Sequence, residues 1–296
     1  MLGIFIVVGF VEIFEPNSKM NEINAATSVY ALIGYPVEHS LSPAFWNAAF
    51  SAVGINAVYV ALSVQPKDIF PALEGLKLSG IKAVNVTRPH KKAAAEYCLI
   101  LHDSAKETGI VNTIKFSSKT EGWNTDAVGF LNILKKHSLK ISTALVLGDG
   151  ASSKSVIWAL KKHGVLNIKQ IARKITSENE QKKQNKEEKK FFLEKLSWNN
   201  KNFTNSIQES DIIINTTPLG WREEDDIPGL KDSLNVEKSF VDLNYSKKSK
   251  ILSIAREKCG LVIDGRELLY EQGLEAFKVL MNYAPPAEVI KNRIFD

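Results

Sequence analysis

The chain of 296 residues has only two cysteines, Cys98 and Cys259. They lie far apart and carry no metal-ligand spacing, so neither a zinc site nor a disulfide-stapled scaffold is expected, and no metal is predicted. They read as idle or buried thiols of a reducing compartment, which points to the cytoplasm. No apolar run reaches the roughly 20 residues of a transmembrane helix. The most apolar stretch, residues 1–14, is interrupted by Glu12 and lacks the basic flank and small-residue cleavage site of a secretory signal. A second methionine, Met20, precedes a polar lead-in, so residues 1–27 read as an extension outside the fold. A large charge excess is also missing. The net charge of +5 comes from basic residues interleaved with acids, which excludes a nucleic-acid footprint and suits an anionic small molecule. Internal repeats are absent. What remains is a globular α/β protein, monomer or homodimer, that works on a small molecule and not on nucleic acid or membrane.

Residues 29–33 read as an apolar strand ended by Gly34 and Pro36, and Ser42-Pro43 opens a helix with Ser42 as its cap. Strands at 57–62 and 81–86, helices at 66–76 and after Pro89, and a strand-like stretch at 110–116 alternate as in a parallel α/β layer. A second unit follows Asp126, with a helix at 128–136. Residues 143–147 form a continuous apolar strand, as for one buried on both faces. A glycine turn, a helix to residue 163 and a strand at 167–172 complete the order of a dinucleotide-binding half-unit. Short strands follow at 212–215, 240–243 and 261–263. Residues 178–190, rich in Lys, Glu, Gln and Asn, read as a solvated loop or surface helix. The helical stretch 265–295 returns to the first unit. The predicted architecture is two domains with a cleft between them: residues 28–126 plus 266–296, and a Rossmann-like domain over 127–265.

Five constellations carry chemistry. In G-Y-P-V-E-H-S-L-S-P, residues 34–43, the hydroxyls of Ser40 and Ser42 stand at a helix start and suit a carboxylate, although a capping role alone would explain Ser42. In N-V-T-R-P-H-K, residues 85–91, Thr87 and Lys91 lie at the carboxyl end of a strand, where open α/β sheets gather ligands. A lysine there can give a proton to a carbonyl oxygen as hydride reaches its carbon. In G-W-N-T-D, residues 122–126, Asp126 could fix that ammonium or cap the next helix, and Asn112 offers a further amide. The turn V-L-G-D-G-A-S-S, residues 146–153, is an imperfect dinucleotide fingerprint, strengthened by its place between strand and helix. No acid ends the next strand. Arg173 and Lys174 stand there instead, favouring a 2′-phosphate and hence NADP(H), unless they merely begin the charged loop. Residues 211–220, D-I-I-I-N-T-T-P-L-G, form a strand end and turn that could approach the cofactor.

Taken in order, these blocks resemble the shikimate dehydrogenase family, including its shikimate/quinate dehydrogenases, from about Tyr30 to the end. The closing pattern Asp264-Gly265, Leu268-Leu269 and Gln272 also matches. The resemblance implies NADPH-dependent reduction of 3-dehydroshikimate to shikimate on the route to chorismate and the aromatic amino acids. It further implies that Ser40 and Ser42 bind the carboxylate, and that Thr87, Asn112, Asp126 and Gln272 hold ring hydroxyls. Tyr245 would lie close by, Asn85 would support, and Lys91 would be the acid/base paired with Asp126. Gly148, Asp149, Gly150, Ala151 and Ser152 would cradle the pyrophosphate, Arg173 and Lys174 the 2′-phosphate. Thr216, Leu243, Gly265 and Leu268 would flank the rest of the nucleotide. Several positions depart from the family pattern: Asp149 and Ala151 in the turn, Ala172, Glu267, Trp46, Arg88 and Trp221. The alternatives are a quinate/shikimate dehydrogenase using NAD(P) and a shikimate-binding regulatory protein.

Overall fold

The computed structural model describes residues 23–173, 191–285 and 287–295. The expectations for residues 1–22, Lys174 and the charged stretch 178–190 fall outside these. The first half runs β1 (Ser28–Gly34), α1 (Ser42–Ala52), β2 (Ala57–Ser63), α2 (Ile69–Leu78), β3 (Ala83–Val86), α3 (Lys91–Tyr97), β4 (Ile100–Leu101), α4 (Asp103–Thr108), β5 (Thr113–Lys115) and β6 (Glu121–Trp123). The second runs α5 (Thr125–Lys136), β7 (Thr143–Leu147), α6 (Ala151–His163), β8 (Asn167–Ala172), β9 (Phe192–Ser197), α7 (Asn200–Gln208), β10 (Ile212–Asn215), α8 (Leu230–Ser233), β11 (Ser239–Asp242), α9 (Lys250–Lys258) and β12 (Leu261–Ile263). Two helices close the chain, α10 (Gly265–Met281) and α11 (Ala287–Phe295).

The strands form two sheets, ordered β2-β1-β3-β5-β6-β4 and β12-β11-β10-β7-β8-β9. The second is parallel throughout, and from β9 to β12 its order is that of a dinucleotide-binding fold, reversing between β7 and β10. Its strands are apolar on both sides because both faces are covered. Ala144, Val146, Ile212 and Ile214 pack on one face with α5 and α6, while Leu145, Leu147, Ile213 and Phe240 pack on the other. The first sheet corrects the purely parallel expectation, because β5 is antiparallel to both of its neighbours. The strand predicted over 110–116 shortens to Thr113–Lys115 for a definite reason. The amide of Val111 bonds instead to the carbonyl of Lys91, at the start of α3, at 3.0 Å. Such short elements as β4 and β6 carry too few residues for periodicity to reveal them.

The closing helices pack on the first sheet. Tyr270, Ala276, Phe277, Leu280 and Ile290 share a core with Leu32, Phe45, Trp46, Phe50 and Tyr59. Trp46 stacks on Tyr59 at 5.3 Å between centroids and on Phe277 at 5.5 Å, so a position that departs from the family pattern is filled by the centre of this core. Glycine is a poor helix former, yet Gly129 sits inside α5. A Cβ there would lie 2.6 Å from the backbone nitrogen of Gln272, so glycine alone lets α5 and α10 cross at this distance.

A second constraint is polar. Asp242, at the carboxyl end of β11, is fully buried. Its Oδ1 accepts from Asn215 Nδ2 at 3.1 Å, from the Asn244 amide at 3.0 Å and from Asn244 Nδ2 at 2.9 Å, while Oδ2 has no partner. Burial, opposed by those donors, pushes its carboxyl from 3.8 up to about 7.

Two outcomes are expected. Gly129→Ala should cost about 1–3 kcal/mol in denaturant unfolding, because the added methyl meets backbone rather than a side chain that can turn away. For Asp242, the folded chain keeps a proton that the unfolded chain has already released between pH 3.8 and about 7. Its contribution therefore declines as pH rises through that window, on the order of 1 kcal/mol per unit. Unfolding curves at pH 5 and pH 8 should show Asp242→Asn relatively more stable against the wild type at pH 8. An unchanged difference would remove Asp242 from the pH dependence.

Candidate active site

Between the two sheets lies a cavity of about 210 Å³. Lys91, Asp126, Ser40, Ser42, Asn85, Thr87, Asn112, Tyr245 and Gln272 all line it. From the second sheet's side Ser152, Leu243, Gly265 and Leu268 join them. Residues far apart in sequence meet here because β1, β3 and α5 direct their ends at one point, and α10 crosses beneath.

Lys91 is the first residue of α3, and its Nζ donates to Asp126 Oδ2 at 2.6 Å. Each side chain of this pair is 13% exposed, so the pair is largely dehydrated yet open to the cavity. Such a pair adds little net stability, because desolvation offsets the attraction, which makes its position at a cavity wall the more telling. Asp126 lies in the first turn of α5, where the helix dipole favours a carboxylate. It is not the cap, however: Asn124 is, accepting from the Ala127 amide at 3.2 Å, and Asp126 is thereby left to face Lys91. Ser42 is likewise no cap. It is the first residue of α1, preceded by Leu41, and its own amide donates to Ser40 Oγ at 3.2 Å. Instead Ser40 Oγ donates to Ser42 Oγ at 3.1 Å, and both hydroxyls line the cavity.

A buried polar layer backs this wall. Tyr59 OH donates to Asn85 Oδ1 at 2.8 Å, and Asn85 Nδ2 donates to Thr113 Oγ1 at 2.9 Å. Asn112 Oδ1 accepts from the Thr125 amide at 2.8 Å, while its Nδ2 donates to Thr125 Oγ1 at 3.0 Å and reaches Gln272 Oε1 at 3.4 Å. Every amide is thus oriented before a ligand arrives. Asn124, fully buried, donates to Ser155 Oγ at 3.0 Å and to Thr108 Oγ1 at 3.0 Å, which ties α5 to both α6 and α4. Sequence reasoning missed Tyr59, Thr125 and Ser155 as parts of this layer. It also missed the apolar lining residues Leu32, Val86, Val156 and Leu269. Tyr59 was recoverable from strand alternation, and Ser155 from its place one turn after Ala151.

The remaining candidates sit at the topological switch point. Gly148 has φ +109, and a Cβ there would come 2.7 Å from Thr216 Oγ1, which itself donates to the Leu147 carbonyl at 2.6 Å. Gly150 starts α6 without a side-chain cap, and Ala151 and Ser152 form the first turn, whose amides have no acceptor within the helix. Ser153, where the fingerprint expects glycine, is buried and donates to the Gly150 carbonyl at 2.8 Å. Asp149 is exposed, and Arg173 is exposed directly after β8. Apart from Ser152, these residues do not line the cavity itself. Among the described residues no helix is long and apolar enough to cross a membrane.

Residues 32–114 match the family model described as the shikimate dehydrogenase substrate binding domain. Over 277 residues the chain is 37% identical to the shikimate dehydrogenase (NADP(+)) of Aquifex aeolicus, with 93% of this chain and 98% of that protein covered. It is 34% identical to the shikimate dehydrogenase (NADP(+)) of Methanothermobacter thermautotrophicus, covering 92% of this chain and 97% of the relative. The crystal structure of shikimate dehydrogenase from Aquifex aeolicus superposes with a TM-score of 0.81 over 93% of this chain and all of its own, at 37% identity. That of the Thermus thermophilus enzyme in complex with NADP(H) and shikimate gives 0.76 at 26% identity, over 91% of this chain and 99% of that one. Matches that span both sheets and the cavity between them, at these identities, show that the chain belongs to the shikimate dehydrogenase family.

Proposed function

We propose that the chain catalyses the reversible NADPH-dependent reduction of 3-dehydroshikimate to shikimate. The observation that carries this reading is the Lys91–Asp126 pair, set in a cavity that reaches from Ser40 and Ser42 at one end to Ser152 at the other. On binding, the Ser40 hydroxyl turns from Ser42 Oγ, so that both serine hydroxyls donate to the substrate carboxylate. Thr87, Asn112, Asp126 and Gln272 hold the ring hydroxyls, and Asn85 supports Asn112 by donating to its carbonyl at 3.3 Å. Burial keeps the Tyr245 phenol above its ordinary value, so it acts as a neutral hydrogen-bonding group.

The second unit's residues fit the dinucleotide. The uncapped start of α6 presents free amides to a pyrophosphate, and Gly148 leaves room where a Cβ would strike Thr216. Asp149, being exposed, can turn its charge to water. Arg173, with Lys174, takes the 2′-phosphate, while Thr216, Leu243, Gly265 and Leu268 flank the remainder. The bound NADPH supplies a hydride to the C3 carbon of the ketone. Lys91 neutralises the charge that grows on the ketone oxygen and gives that oxygen its proton. Asp126 holds the ammonium in place and keeps it from wandering to water. In the reverse direction the neutral amine accepts the hydroxyl proton. The protein positions two reactants and fixes one proton donor.

In this reading residues 28–126 with 266–296 form the substrate domain and 127–265 the NADP domain. The enzyme works in the cytoplasm as a monomer or homodimer on a small molecule, with no nucleic-acid or membrane partner.

Reduced-cofactor absorbance with shikimate and NADP, then NAD, then quinate, tests the reading directly; absence of turnover with shikimate and NADP would sink it. Lys91→Ala should lower kcat about 10²–10⁴-fold, with shikimate affinity in calorimetry little changed. Wild-type turnover in that variant would remove Lys91 from the chemistry. Arg173→Ala should raise KM for NADP about tenfold and leave KM for NAD unaltered. An equal effect on both cofactors would deny Arg173 the 2′-phosphate.

A further inference from the structure

Trp221 lies on the loop that follows β10 and is 37% exposed, yet the backbone on both sides of it is held firmly. The amides of Gly220 and Arg222, its two chain neighbours, each donate to Oδ2 of Asp225 at 3.0 Å. Asp225 is itself buried, and the Arg222 amide leads in holding its carboxyl below the usual carboxylate range. Asn244 Nδ2 donates to the carbonyls of Thr217 at 3.0 Å and Leu219 at 2.9 Å, which ties the same loop to the segment carrying Tyr245. A loop so constrained around a partly exposed indole presents that ring in one place.

What the ring touches is divided between the two halves of the molecule. Trp221 stands edge-on to Tyr245, at 5.2 Å between centroids and 82°. The ring of His39 lies at 6.4 Å between centroids, tilted by 49°. His39 immediately precedes Ser40, and the amide of Leu41, between Ser40 and Ser42, draws the Tyr245 phenol down against the burial that raises it. The indole is more exposed than the cavity-lining Tyr245, so it forms the outer layer over the contact between Tyr245 and the serine turn. Keeping water from such a contact strengthens it.

We propose that Trp221 is a positioning residue: packed on Tyr245 from the nucleotide-binding half and on His39 from the other half, it clasps the cleft over Ser40 and Ser42. It thereby sets the affinity for the anionic end of the substrate. Only the substrate's identity rests on the dehydrogenase reading above; the clasp itself rests on the ring contacts and the Asp225 anchor. Because the clasp lies at the serine end, its loss acts on the acid and not on the nucleotide.

Steady-state kinetics of Trp221→Ala, Asp225→Ala and Trp221→Phe, each checked for thermal unfolding, test it. Both alanine variants should raise KM for shikimate about threefold to tenfold, the worth of one edge-to-face aromatic pair, with kcat and KM for NADP changed less than about twofold. Trp221→Phe should keep most of the wild-type affinity. Unchanged KM for shikimate in Trp221→Ala, or an equal rise in both KM values, overturns the proposal. A second arm needs no turnover. Acrylamide quenching of tryptophan emission, taken as the difference from Trp221→Phe, isolates the Trp221 signal from the other tryptophans. That signal should become more quenchable in His39→Ala; an identical quenching slope overturns the clasp. If the wild type fails to oxidise shikimate with NADP, the dehydrogenase reading falls while the quenching arm still decides the clasp.

Discussion

Helices α5 and α10 approach until the backbone of Gly129 faces that of Gln272, and this close crossing governs what lies above it. Asp126 stands one turn before Gly129 on α5, and Gln272 projects from α10 into the same cavity. The α10 helix begins at Gly265 beside Leu243, at the end of the second sheet, and finishes in the aromatic core of the first. One helix pair therefore sets the distance between the two sheets and the distance between the groups that flank the ligand. A methyl inserted there would disturb fold and site together, because the neighbour is main chain and has no rotamer to change.

Two buried polar knots do for orientation what the crossing does for distance. The layer from Tyr59 through Asn85, Asn112 and Thr125 fixes the amides at the wall that carries Lys91 and Asp126. The knot of Asn215, Asp242 and Asn244 fixes the loops that carry Thr216 and Tyr245. In the first, the amides of Asn85 and Asn112 find partners on both their oxygen and nitrogen sides. In the second, one carboxylate oxygen stays without a partner, and burial of the group raises its carboxyl pKa.

The two halves of the site are also built from different material. The wall carrying Ser40, Ser42, Lys91 and Asp126 is made of side chains: hydroxyls, amides and one ion pair. The end beside β7 and α6 presents backbone, namely a glycine with positive φ and the uncapped start of α6. Backbone recognition tolerates substitution as long as the turn keeps its shape. Asp149 and Ala151 can therefore differ from the family pattern without filling the cradle, since Asp149 is exposed and Ala151 already belongs to the helix.

The sequence by itself determined the second sheet's strands other than β9, the glycine turn, the return of the final helices and most of the polar residues around the cavity. Apolar runs such as 143–147 and polar motifs at strand ends are local signals, set by burial on two faces and by the geometry of turns. It did not reveal that β5 runs antiparallel, that Asn124 rather than Asp126 caps α5, or that Ser42 is bonded by Ser40 instead of capping α1. Nor did it show Trp221 meeting both His39 and Tyr245. Each of those depends on which groups compete for the same hydrogen bond or the same space once distant segments are brought together. Only the packed tertiary structure decides that competition, because its outcome is fixed by distances between residues that no local pattern relates.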